Sequence, residues 1–311
     1  MGRYGYSISK QTIAMDYVFP YVDGSDPVWR EQYRRANNSI SMDESRFRPF
    51  GTLRYVFRGI AENMPFIDRV VLIVSTESQV PDWINREKVR IVTHEEFMPA
   101  EHLPTFSSSA IESDMWRIEC LSERFIYGND DCFPLKPLTE ADFFDGNKPR
   151  LTFSASDYRI QNVFRKCCRK GMDMIADAVG CPRTDPDVLL KPQHCMKGVT
   201  VDHMKRVGEL CGAQIDRTVT PHRHQRNVTG YIYDYFAFYT DDDAPFEKDF
   251  KYIRITDDYS EILDLLKDPD VSILCINDAG QLSAEHYEEA SRALQNSLDR
   301  LFPERCSYEI S

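Results

Sequence analysis

The chain has 311 residues, with 38 Lys and Arg against 50 Asp and Glu, a formal net charge of −12. Its length and 42% hydrophobic content suit one large α/β domain or two small ones, while the acidic balance excludes nucleic acid as the main partner, since no overall positive field would collect phosphates. Nine scattered cysteines without paired Cys-x-x-Cys spacing argue for free thiols in a reducing compartment, against a disulfide framework or a zinc site. Met1–Met15 lacks an apolar signal core, and no run approaches the roughly 20 apolar residues of a membrane span. The expectation is a cytoplasmic protein, with peripheral contact at the inner face of a membrane left open.

The first predicted strand is Asp16–Val22, followed by the polar turn Asp23-Gly24-Ser25-Asp26 and a helix from Val28 to about Ala36. Without a secretory signal, the glycosylation-like patterns at Asn37-Asn38-Ser39 and Asn227-Val228-Thr229 mean little. A helix over Gly51–Asn63 buries Leu53, Val56, Phe57 and Ile60 on one face. Strands follow at Arg69–Val74 and Lys88–Thr93, then a helix at Ser107–Cys120 and a buried strand at Phe125–Tyr127. Tyr158–Val179 and Val199–Cys211 read as helices, and Gln225–Tyr239 as an aromatic helix or strand pair. Two more strands, Lys251–Thr256 and Val271–Ile276, precede a closing helix at Ser283–Leu301.

This alternation predicts an α/β fold: a Rossmann-like, mostly parallel sheet with helices on both faces and a helical insertion. The expected divisions are a tail over residues 1–14 and one catalytic domain over 15–311. Within that domain, 15–155 would be the α/β core, 156–245 a helical acceptor-side insertion, and 246–311 the strands and helix that complete the core.

The most informative segment follows the strand at Phe125: Gly128-Asn129-Asp130-Asp131. In an open α/β sheet the C-terminal ends of strands deliver residues to the ligand crevice. Two neighbouring carboxylates there repel each other unless a cation or solvent relieves them, so a divalent metal holding a diphosphate is the first functional reading. The plain alternative is a solvated Asn-Asp turn. A G-x-G-x-x-G fingerprint and a Walker lysine loop are both lacking, which argues against a dinucleotide enzyme and an ATPase.

Several segments occur in a telling order. They are Tyr21-Val22-Asp23-Gly24-Ser25-Asp26, Arg46-Phe47-Arg48 leading to Leu53-Arg54-Tyr55, Val92-Thr93-His94-Glu95, Leu103 to Ser108, Ala110-Ile111-Glu112 and the acid pair. Together with Lys191-Pro192-Gln193-His194, Arg223-His224, Tyr231–Tyr239 and Cys275-Ile276-Asn277-Asp278, they resemble the Stealth family of sugar-phosphate transferases over roughly residues 15–303. The resemblance implies a nucleotide-sugar-transferase, GT-A-like fold. It also implies transfer of a sugar 1-phosphate, typically from UDP-N-acetylglucosamine, onto a hydroxyl of an acceptor glycan, with UMP released.

Such a reaction needs phosphate charge neutralised, a proton acceptor and a stabilised leaving group. The expected metal is Mg²⁺ or Mn²⁺, with Asp131 as first-choice ligand and Asp130, Asn277 and Asp278 beside it. His194 is the expected general base with His224 as rival, and Arg223 the cation for the transferred phosphate. Donor binding is expected from Asp23, Gly24, Ser25, Asp26, Arg46, Arg48, Thr105, Ser107, Ser108, Glu112, Asn129 and Asp130. The basic residues Arg159, Arg165, Lys166, Arg169 and Lys170 suggest an anionic, phosphate-linked acceptor or a membrane face, though most such runs are simply solvated. Competing readings are a metal-dependent glycosyltransferase releasing UDP, and a non-catalytic sugar-nucleotide or glycan-binding module.

Overall fold

The structure, a computed structural model, describes residues 14–36 and 42–310. Almost all of the expected tail, and the Asn37 glycosylation-like pattern, lie outside the described residues. Strand β1 (Asp16–Pro20) is followed by helices α1 (Pro27–Ala36) and α2 (Leu53–Asn63), then by β2 (Arg69–Val74) and β3 (Val89–Thr93). Short helices α3 (His94–Phe97) and α4 (Ser108–Asp114) precede β4 (Arg124–Tyr127) and β5 (Cys132–Pro134). The small strands β6 (Phe144–Asp145), β7 (Lys148–Leu151) and β8 (Phe153–Asp157) lead to α5 (Val163–Val179), β9 (Val188–Pro192) and β10 (Lys197–Thr200). The chain ends with α6 (Val201–Asp216), α7 (Ile232–Tyr239), β11 (Ala244–Pro245), β12 (Phe250–Thr256), α8 (Ser260–Leu265), β13 (Ile273–Gln281) and α9 (Ala284–Leu301).

The central sheet runs β10-β4-β1-β2-β3, with β4, β1, β2 and β3 parallel and β10 antiparallel at the edge. From β1 the chain winds outward to β2 and β3, then returns to β1's other side as β4. The winding reverses between β1 and β4, and at such a switch point a crevice opens beyond the C-terminal strand ends. The fold is the α/β architecture expected, with a mostly parallel sheet covered on both faces.

Alternating residues of each central strand enter two different cores, as a period of two requires. Tyr17, Phe19, Val70, Leu72 and Ile126 pack with Val56, Phe57 and Ile60 of α2 and Leu294 and Leu298 of α9. Val18, Val71, Ile73, Phe125 and Tyr127 pack with residues of α5, α6 and α7, among them Met172, Val207 and Phe236. Burying both faces explains why β2 reads as a continuous apolar run. A second sheet, β12-β13-β5, carries Asn277 up beside the loop that enters β5.

The first strand ends at Pro20 and the last runs Ile273–Gln281, and three further elements differ from their expected bounds for local reasons. The helix at Ser107 stops at Asp114 and tightens into a 3₁₀ turn at Met115–Arg117, where Trp116 N–H donates to Tyr233 Oη. Residues 197–200, expected in the region of the helical insertion, pair with β4 as a strand, and Thr200 then caps α6 by accepting from His203 N–H. Helix α5 starts at Val163 because Asn162 caps it, accepting from Arg165 N–H at 2.9 Å. The aromatic run left open in the sequence forms helix α7.

Candidate active site

After β4, Gly128 lets the chain pass over the first strand: a Cβ there would lie 2.0 Å from Tyr17 Oη, so only glycine fits. The chain then presents Asn129, Asp130 and Asp131 at the crevice before re-entering the structure as β5. Asp131 is approached by His194 Nε2 at 3.1 and 3.2 Å from its two oxygens, and by Asn277 Nδ2 at 3.4 Å. Three segments far apart in sequence thus meet at one carboxylate. Tyr252 braces the group, donating its hydroxyl to Asn277 Oδ1 at 3.1 Å and setting its ring edge-on to His194.

Burial disfavours the Asp131 charge, but the His194 charge and hydrogen bonds from His194, Asn277 and Cys132 outweigh it and hold the carboxyl below its usual range. His194 feels the reverse balance: burial disfavours its cation, yet the charge and hydrogen bond of Asp131 raise it above the ordinary histidine value. Asp130 stands apart. Its carboxylate makes no hydrogen bond to another side chain among the described residues, and burial together with Asp131 pushes it up to about 7. Two adjacent carboxylates share one histidine charge, with Asp130 in no salt bridge among the described residues, and their hard oxygens suit Mg²⁺ or Mn²⁺.

Asn277 turns its N–H toward Asp131, and Asp278 faces elsewhere: Oδ2 accepts from Arg48 Nε at 2.6 Å and Oδ1 from Gly280 N–H at 3.0 Å. Of the four expected metal ligands, Asp278 is thus committed to Arg48, while Asp130, Asp131 and Asn277 line the larger cavity, and Asp131 lies with Cys132 and His194 close enough to share an ion.

Two cavities meet at this point. The larger, about 560 Å³, is lined by Asp131, His194, Glu112, Lys191, Lys197 and Tyr231 among others. The second, about 420 Å³, reaches past Tyr21, Arg46 and Thr105 to His94. Ser108, Asn129, Asp130, Arg223 and Asn277 line both. Arg223 donates to Ser108 Oγ at 2.9 Å and faces Arg46 closely enough that burial and its charge bring Arg46 down to about 10. Two guanidiniums without a carboxylate partner among the described residues make a ready seat for a diphosphate.

Other expected donor-binding residues are otherwise engaged. Asp23 Oδ1 accepts from Ser25 N–H and Oγ, while Asp26 accepts from Val28 N–H, Ser78 Oγ and Gln79 Nε2, so both aspartates build the turn. A Cβ on Gly24 would lie 2.4 Å from the Phe47 carbonyl oxygen, so this glycine serves packing against Phe47. The residues that reach the cavity from this strand end are Pro20, Tyr21 and Val22. Arg48 is held by Asp278, and Ser107 Oγ is buried without a partner. His224 is exposed and its Nδ1 accepts from Arg226 N–H, outside both cavities.

Of the basic run, Arg159 pairs with Asp157 and Arg169 with Asp173, while Arg165 reaches the larger cavity. Reading the sequence missed Lys197, Tyr127 and Tyr252. A lysine inside a β-branched strand was the available signal for the first. The other two look like ordinary strand aromatics until β4 and β12 are placed.

The sheet, with its acid pair at the switch point and basic rim, defines an α/β protein whose acidic strand end faces a cavity edged by arginines. Residues 46–151 match the model for Stealth protein CR2, conserved region 2. The capsular polysaccharide phosphotransferase eps5J of Streptococcus thermophilus is 40% identical over 145 residues, covering 44% of this chain and 60% of that protein. The receptor polysaccharide phosphotransferase WefC of Streptococcus oralis is 28% identical over 338 residues, 95% of this chain and 99% of that protein. The resemblance to the Stealth family is thereby borne out. Among solved structures, the galactosyltransferase LgtC in complex with donor and acceptor sugar analogs aligns at a TM-score of 0.38 and 14% identity, covering 90% of this chain and 96% of that one.

Proposed function

We propose that the chain transfers a sugar 1-phosphate, N-acetylglucosamine 1-phosphate from UDP-N-acetylglucosamine, to a hydroxyl of an acceptor glycan, forming a phosphodiester and releasing UMP. The observation that carries this reading is the Asp131–His194 contact, set beside Asp130 and Arg223 where two cavities join. The names of relatives such as WefC, a receptor polysaccharide phosphotransferase, support the same reaction class.

On this reading the nucleotide lies toward Tyr21 and Arg46, and the acceptor enters the larger cavity. Arg223 and Arg46 offset charge on the diphosphate. Asp131 accepts from His194 Nε2–H, which fixes the tautomer and leaves Nδ1 to take the acceptor hydroxyl's proton. Asp130 and Asp131 would hold Mg²⁺ or Mn²⁺. When bound, that ion neutralises diphosphate charge and eases departure of UMP.

The protein would work in the cytoplasm, with residues 156–245 on the acceptor side. Among the described residues no helix is long and apolar enough to cross a membrane. Incubation with a panel of UDP-sugars, Mg²⁺ and glycan acceptors, followed by mass analysis of the nucleotide, tests the reaction. UMP is expected; UDP would replace the proposal with glycosyl transfer, and no released nucleotide across the panel would remove it.

A further inference from the structure

Along helix α5 runs an open groove of about 600 Å³ that shares no residue with the two cavities of the active site. Five cations line it, Lys166, Arg169, Lys170, Arg183 and Arg226, against two carboxylates, Asp173 and Asp177. Arg169 answers Asp173 and Arg183 answers Asp177, so Lys166, Lys170 and Arg226 are left without an acidic partner among the described residues. Lys166 donates to the neutral Gln225 side chain at 3.0 Å. In a chain with a formal net charge of −12, this face has the opposite sign.

Apolar side chains border the same face. Val163 opens α5 one turn before Lys166, and at 3.6 residues per turn it lies within about 60° of both Lys166 and Lys170 around the helix axis. Val163 is 42% exposed, and Ile160, just before the helix cap, is 69% exposed, the most of any large apolar side chain among the described residues. On α6, Leu210 lies one turn before the lining residue Gln214 and is 47% exposed. Ile160 also lines the larger cavity with Phe164 and Arg165, so this face adjoins the active site.

A single exposed aliphatic residue is ordinary, and so is a solvated lysine. Their combination selects the partner. A polyanionic glycan would answer the cations but has no hydrocarbon to cover Ile160, Val163 and Leu210. A second copy of this chain, docked face to face, would bring like charges together. A bilayer with anionic lipid offers phosphate headgroups at its surface and hydrocarbon a few ångströms beneath them.

We propose that the α5 face docks the protein on an anionic lipid bilayer, with Lys166, Lys170 and Arg226 at the headgroups and Ile160, Val163 and Leu210 in the interface. The larger cavity then opens at the membrane surface. The proposal is independent of the transfer reaction, because lipid binding is measured without turnover.

The test is co-sedimentation of the full chain with phosphatidylcholine vesicles containing about 30% phosphatidylglycerol, beside vesicles of phosphatidylcholine alone. Binding is expected with the anionic vesicles only, and it is lost at about 0.5 M NaCl, where screening confines each charge to a few ångströms. Each cation at such a surface changes affinity about fivefold, so the double variant Lys166→Gln, Lys170→Gln binds about 25-fold more weakly. The double variant Ile160→Ser, Val163→Ser binds about tenfold more weakly. None of the four side chains is buried, so both variants melt at the wild-type temperature.

Absence of vesicle binding, equal binding to neutral and anionic vesicles, or unchanged binding in both variants overturns the proposal. Wild type that binds soluble polyphosphate but no vesicle overturns it as well, and gives the face to a polyanion.

Discussion

Asp131 is where the chemistry of this chain concentrates, because it alone is touched by both His194 and Asn277. If His194 moves the acceptor's proton and Asp131 orients it, Asp131→Asn and His194→Ala should each lower kcat by about 10²- to 10⁴-fold, the span typical of positioned acid–base groups. Both side chains are partly exposed, 29% for His194 and 21% for Asp131, so neither change opens a core cavity, and thermal unfolding should stay near wild type. His224→Ala should leave turnover unchanged, since that imidazole lies outside both cavities. Single-turnover assays with circular dichroism melts check all three. A wild-type rate in His194→Ala would remove that residue from the mechanism.

Individual elements carry predictions of their own. Helix α3 buries His94, and burial alone brings its imidazole down from 6.5 to about 4. Below pH 6.5 the unfolded chain takes up a proton that the native state refuses until about pH 4. Stability therefore falls as pH drops through that window, by up to about 3 kcal/mol. Asp130, pushed up to about 7, contributes with opposite sign: the native state holds its proton between the ordinary carboxyl value and 7, so its share is lost as pH rises there. The informative measurement is thus the difference between wild type and His94→Gln in urea unfolding at pH 4.5 and 7, with the variant losing less stability on acidification.

The end of β13 offers a second element-scale test. Asp278 pairs with Arg48, whose side chain is 13% exposed, and joins the loop before α2 to that strand. Asp278→Ala should lower stability by about 3 kcal/mol, because a nearly buried guanidinium loses its partner. Mg²⁺ affinity by calorimetry should hardly change. A large loss of metal affinity would instead return Asp278 to the ligand set.

For the whole molecule, helix α2 is joined to the C-terminal segment through Arg58. Its guanidinium pairs with Glu309 at 2.7 Å and donates to the Phe302 carbonyl, with side chains 7% and 3% exposed for the two partners. Glu309→Ala should destabilise the fold by about 3 to 5 kcal/mol, read as a lower urea midpoint in one cooperative transition. A change under about 1 kcal/mol would show that solvent reaches Arg58 and that the pair matters little.

Much of this architecture was legible in the chain itself. β2 appears where its run of β-branched residues predicts, and α2 and α9 follow their apolar periodicity, because burial on one or both faces writes a period directly into the sequence. The acid pair was legible as well, since strand ends in such sheets face ligands. The fates of the neighbouring polar residues were not. Asp23 and Asp26 look as suitable for a nucleotide as Asp130, yet hydrogen bonds to Ser25, Ser78 and Gln79 commit them to a turn. Lys197 was hidden because its strand pairs with β4 across a long separation. Local propensity and hydrophobic period are properties of a few adjacent residues, so the sequence alone determined the four parallel strands of the main sheet, helices α2 and α9 and the acidic strand end. Which carboxylate stays free, which arginine faces the cavity and which histidine meets Asp131 depend on contacts between residues tens to hundreds of positions apart, and only the folded chain decides those.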